Sequence, residues 1–149
     1  MMQITGAFLA EHAEIVDGKL NVTGGVLDVV KAPAVGLTNE HGEQLALPLS
    51  LVTLMQAGPD DEGRPYRMTL EVVSSNGDIM VLGDQEIPGG HLEGENHFWI
   101  SAFGLTTRAT GRVALIASIE GGGSVTVPVL VERVDRHPAD GGRDDTQPR

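Results

Sequence analysis

In several stretches of this chain, hydrophobic residues fall at every second position. Met68, Leu70 and Val72 alternate with Thr69 and Glu71. Val113, Leu115, Ala117 and Ile119 repeat the spacing, and Val125, Val127, Val129 and Val131 form the clearest row. Successive side chains of an extended chain point to opposite faces, so each row marks a strand with one apolar face. Asp17-Gly18, Ser75-Asn76-Gly77-Asp78 and Gly121-Gly122-Gly123 each lie between apolar runs. Asn, Asp and Gly supply the positive φ that tight hairpin turns require.

The pattern predicts about eight strands, near residues 3–10, 12–16, 20–31, 49–56, 66–74, 79–86, 97–107 and 112–134. The last span is a hairpin of two, and the first two are readable as one bent strand. GAFLAEHAEIV contains good helix formers. It runs directly into Asp17-Gly18, however, and a hairpin there needs a strand before the turn. The expected fold is all-β: an antiparallel β-sandwich, jelly-roll or immunoglobulin-like, over residues 1–134. Residues 32–48 read as a long connection between sheets, 57–65 as a polar turn and 87–96 as a mobile loop. The tail, DRHPADGGRDDTQPR (135–149), has no apolar side chain large enough to offset its ordering entropy, and disorder is expected there.

Two positions break the alternation. Pro128 cannot donate a ladder hydrogen bond, so its strand should be an edge or carry a bulge there. Leu20 and Val22 occupy even positions, whereas Leu27 and Val29 occupy odd ones. A regular strand would place these pairs on opposite faces. One extra residue at Gly24-Gly25 would restore them to the same face. Either a β-bulge or a sharp bend from one sheet to the other is expected. The competing explanation is close approach of a ligand to bare backbone.

Composition narrows the picture. The chain has 149 residues, enough for one domain with a core, and is 40% hydrophobic and 21% charged. Aromatics are only 3%, so Val, Leu, Ile, Ala and Met must fill the interior. The absence of cysteine excludes disulfides, cysteine metal sites and a cysteine nucleophile, and fits a reducing compartment. A net charge of −11 repels phosphate backbones and anionic lipid, so neither nucleic acid nor a membrane is an expected partner. No Lys or Arg precedes an apolar stretch at the N-terminus, which argues against a secretory signal. No apolar run approaches the ~18 residues of a spanning helix. A soluble, cytoplasmic protein is the expectation.

The same segments carry a family resemblance. AEHAEIVDGKLNVTGGVLDVV, followed by Pro33, resembles the opening of the DUF6941 family, small bacterial β-rich proteins of unknown function. The similarity continues through YRMTLEVVSSNGD and ends with TGRVALIASIEGGGSVTVPVLV, together covering most of residues 5–131. The family's usual tryptophan after the glycines is Leu27 here, and its tyrosine after the late glycine is replaced by Arg112-Val113. The resemblance implies a β-rich fold and no particular activity.

Candidate chemistry is sparse. In HLEGENH, His91, Glu93, Glu95 and His97 fall on alternate residues and would point the same way in an extended chain. Two imidazoles with two carboxylates suit a divalent transition metal. Asp60 to Glu62, with Asp78 or Asp84 from other loops, could supply calcium oxygens but lacks an ordered spacing. His12 and Glu14 on one strand could form an acid–base pair. There is no Gly-x-Ser-x-Gly elbow, and EGGGS lacks the Lys of a phosphate-binding loop. In HFWISAF, Trp99 and Phe103 share a face, with Phe98 and Ile100 opposite. A strand apolar on both faces suits core plus subunit contact, or stacking against a sugar. The expectation is a non-enzymatic β-sandwich without a cofactor, acting through a protein partner or as a homo-oligomer. The alternatives are a small-ligand or carbohydrate-binding module using Trp99 and Phe103, and a metal-dependent enzyme using residues 91–97. Asp17, Gly18, Gly24 and Gly25 are expected to be structural.

Overall fold

The computed structural model describes residues 2–59, 63–90, 92–107 and 110–134; the expected tail, 135–149, lies outside them. The described residues form nine strands and no helix. These are β1 (Gln3–Val16), β2 (Lys19–Gly25), β3 (Val29–Pro33), β4 (Leu47–Gln56) and β5 (Tyr66–Val73). β6 (Ile79–Ile87), β7 (Asn96–Leu105), β8 (Gly111–Ile119) and β9 (Gly123–Val134) follow. A four-stranded sheet has the order β2-β1-β4-β7, and a five-stranded sheet the order β3-β9-β8-β5-β6. The sandwich has nine strands rather than about eight. It is antiparallel except where β3 runs parallel to β9, with Val29 opposite Leu130 and Pro33 opposite Val134.

The three turn signals join strands as their chemistry requires. Asp17 and Gly18 both have positive φ, 52° and 76°, as a two-residue type I′ hairpin demands. The expected strands 3–10 and 12–16 are one strand of 14 residues, β1, with a register shift against β4 between Ile4 and Gly6.

The strand expected over 20–31 is divided. β2 ends at Gly25 in the four-stranded sheet, and β3 begins at Val29 in the other. The two glycines therefore precede a bend between sheets and not a bulge within one strand. The bend is pinned on both sides: Leu27 N–H donates to Leu9 O at 2.8 Å, and Leu130 N–H to Asp28 O at 2.9 Å. Side-chain phase is not conserved across it. Leu27 packs against the core, but Val29 is 45% exposed, and Val30 and Ala32 are the inward residues of β3. Leu20 and Val22 are not buried. The expected shared face of Leu20, Val22, Leu27 and Val29 is thus corrected: a chain that changes sheets need not keep one side-chain phase across the bend.

The main interior lies between the sheets. Leu9, Leu49 and Leu51 from one sheet meet Leu70, Val72, Leu115 and Val129 from the other. A smaller cluster of Met2, Met55, Met68, Ile87 and Ile119 adjoins Trp99. Every residue of the rows at 68–72 and 113–119 is buried, and Val127, Val129 and Val131 are buried too. β9 is an internal strand, contrary to a simple edge assignment. At Pro128, however, it is flanked by β8 alone, because pairing with β3 starts at Val29 opposite Leu130. The connection between β3 and β4 is organised by Gln44. Its amide nitrogen lies 2.8–3.1 Å from the carbonyls of Ala34, Leu37 and Leu45, and its Oε1 accepts from Gly36 N–H at 2.8 Å.

Gly24 has φ +66°, and a Cβ on Gly25 would come within 3.1 Å of Val22 Cγ1. Gly24→Val and Gly25→Val are each expected to lower stability by roughly 1–3 kcal/mol, read as a lower melting temperature. Gln44→Ala should cost about 1 kcal/mol in denaturant titration through the lost loop hydrogen bonds.

Candidate functional site

β4 is apolar on both faces. Leu49, Leu51 and Met55 belong to the interior clusters. Val52 and Leu54 lie on the alternate, outward positions. In register, Val52 stands between Phe8 of β1 and Ile100 of β7, and Leu54 stands between Gly6 and Phe98. Ser50 continues the row between Ala10 and Ala102. No charged residue occupies these positions. Val52 and Ala10 are 0% exposed although neither belongs to an interior cluster. Around them Phe8, Phe98 and Ile100 are half-buried, and Leu54 is 38% exposed.

The borders of this face follow from sequence. At the next outward positions of β1, Ala10 gives way to His12 and Glu14, an exposed pair 3.7 Å apart. On the β2 side Gly25 is opposite Ala10. A Cβ there would lie 3.4 Å from Ala10 Cβ and 3.6 Å from the Phe8 ring. The glycine therefore leaves room for the Phe8 ring beside Ala10.

Trp99 and Phe103 share a face, but it is the inner one. Trp99 packs on the methionine-rich cluster, and its Nε1–H donates to Gln85 Oε1 of β6 at 2.8 Å. Phe103 packs against the main interior. The outward aromatics are Phe98 and Phe8. Period-two spacing sorts residues into two faces without saying which is covered. The missed signal was LSLVTLM at 49–55, a strand apolar on both sides like HFWISAF.

HLEGENH is not extended. His91 lies outside the described residues. Leu92 to Glu95 form a tight turn in which Glu95 N–H donates to Leu92 O at 3.0 Å. Leu92 N–H in turn donates to Glu95 Oε2 at 2.9 Å, so this carboxylate caps the turn. Glu93 is exposed beside Gln3 and Gln56 in an open cleft. His97, the second residue of β7, stands opposite Met55, its ring centroid 6.1 Å from that of Phe98. Among the described residues, no three His, Asp or Glu side chains come together as a metal-binding group. Asp60 to Glu62 lie outside the described residues. Asp78 accepts from Asn76 Nδ2 at 3.2 Å within the β5–β6 turn.

Asp84 is engaged elsewhere. Arg67 Nε and Nη2 donate to its two carboxylate oxygens at 2.6 and 2.7 Å, across the β5–β6 pairing. These hydrogen bonds, with the attraction of the guanidinium, hold the Asp84 carboxyl below its ordinary value; partial desolvation opposes them. No described helix is long and apolar enough to cross a membrane. No protein-family model matches the chain, and no curated protein does either.

A carboxyl depressed in the folded state stabilises it above the unfolded group's ordinary midpoint. That contribution disappears as pH falls through the folded midpoint. Carbon-detected NMR titration should therefore place Asp84 below an ordinary aspartate, and Arg67→Gln should raise its midpoint back toward that value.

Proposed function

We propose that this chain is a non-enzymatic β-sandwich that works through protein–protein association, with the outer face of the four-stranded sheet as its docking surface. The observation that carries this reading is the contiguous uncharged row of Phe8, Val52, Leu54, Phe98 and Ile100 on a sheet face with no second layer over it among the described residues. Apolar area is stabilising only once water is removed from it, at about 25 cal/mol per Å². Large contiguous apolar patches on soluble proteins mark interaction sites. The chain's net charge of −11 sharpens the contrast, since this row carries none of it and Glu14 lies at its border. A sugar-stacking role for Trp99 draws less support, because its indole N–H is bonded to Gln85. Kinship with the DUF6941 family belongs to the same proposal and is supported by the turn and strand motifs at residues 10–30, 66–78 and 110–131.

Leu54→Glu puts a charge within the row at a position that is already partly exposed. In size-exclusion chromatography with light scattering, the wild-type chain is expected to elute in a complex at micromolar concentration, and Leu54→Glu to lose it with an unchanged circular dichroism spectrum. A wild-type chain that carries no second chain of any kind would overturn the reading.

A further inference from the structure

Among the described residues, four strands lie at sheet edges: β2 and β7 in one sheet, β3 and β6 in the other. An edge strand is a template for another chain, and proteins blunt it with charge, proline, irregular pairing or short length. Three of these edges are blunted. β2 has 7 residues, with Lys19 at its start and Gly24-Gly25 at its end. β3 has 5 residues and contains Lys31 and Pro33. β6 contains Asp84 and Glu86 and slips register against β5 at Leu70/Glu71. β7 has none of these features. Its 10 residues, NHFWISAFGL, include no Asp, Glu, Lys, Arg or Pro, and it pairs with β4 in unbroken register from Asn96 to Leu105.

Building on the docking role of the outer face, we infer that the partner is a second copy of this chain, joined by antiparallel β7–β7 pairing about a two-fold axis. The two four-stranded sheets then form one continuous eight-stranded sheet, in the order β2-β1-β4-β7 followed by its mirror sequence. Charge selects this contact. With a net charge of −11, most approaches of two copies set like charges against each other. β7 and the row beside it are uncharged, so the two-fold contact sets none. An isologous contact must also be self-complementary. Here the outward row of Phe98, Ile100 and Ala102 meets the same row of the second copy, and cross-strand apolar pairs are favourable. Pairing also runs the apolar face of one copy into that of the other, which gives a single wider surface.

The chain contains no cysteine, so Phe98→Cys, Ile100→Cys and Ala102→Cys each report the distance between one position and its own copy. In an antiparallel pair, identical residues meet only near the axis. Each two-residue step away separates them by roughly 14 Å more. A short bismaleimide should therefore crosslink one of the three strongly and the others progressively less. By sedimentation velocity the full-length wild type should be a dimer. Ala102→Lys, at an exposed position of β7, should weaken it roughly tenfold or more with the fold intact by circular dichroism. A monomeric wild type, equal crosslinking at all three positions, or a dimer indifferent to Ala102→Lys would each overturn β7 pairing. A complex with a different protein, lost in Leu54→Glu, would overturn the second copy and leave the docking face standing. The absence of any complex would remove both.

Discussion

The constraint on which this structure rests is closure of two sheets over an interior made almost wholly of aliphatic side chains. With aromatics at 3%, no single large residue can dominate the packing. Many branched side chains must be aligned instead, each contributing about 1.5–3 kcal/mol on full burial. Ordering the chain costs an amount of similar size, so the alignment has to be nearly complete to succeed. Regular alternation in β5, β8 and β9 supplies one wall of the interior. The alternate residues of β1 and β4 supply the other. The bend after Gly25, held by Leu9 O and Leu130 N–H, carries the chain from one wall to the other. The Trp99–Gln85 hydrogen bond links β7 to β6, and so ties the walls together at that side.

Closure alone does not account for the four-stranded sheet. The five-stranded sheet mixes Thr69, Glu71, Ser118 and Thr126 with Ile79, Val81, Ile116 and Leu130 among its outward residues, so polar side chains interrupt its apolar ones. The four-stranded sheet instead repeats the aliphatic pattern outside, and Val52 is as completely shielded there as Leu51 is within. A strand hydrophobic on both sides is ordinary in the middle of a three-layer protein. Here two layers are described, and the second apolar side is the feature that directs attention to association. The same sheet ends in β7, the edge with the least to discourage another strand.

Much of the fold was legible in the residues. The rows at 68–72, 113–119 and 125–131 and the turns at 17–18, 75–78 and 121–123 all correspond to observed strands and hairpins. These signals are local: alternation and turn chemistry act within a few residues. What was not legible depends on contacts between distant segments. The identity of neighbouring strands decides that Val30 faces inward and Val29 outward. It also decides that Phe98, and not Trp99, faces out. At HLEGENH the alternation argument assumed an extended chain, and the turn at Leu92–Glu95 removes that premise. Gln44 gave no signal at all, because its importance comes from the four backbone groups that the folded loop gathers around it.

The parallel pairing of β3 with β9 also governs when the molecule can become itself. Val29 leaves the ribosome early and Leu130 late, yet they are partners. During translation β3 must therefore wait, its ladder groups unmatched, while nearly all the intervening strands are made. Pairings this distant in sequence slow the search for the native arrangement. The nascent chain thus passes through a prolonged interval with an incomplete sheet, the period in which a chaperone would matter most to its survival.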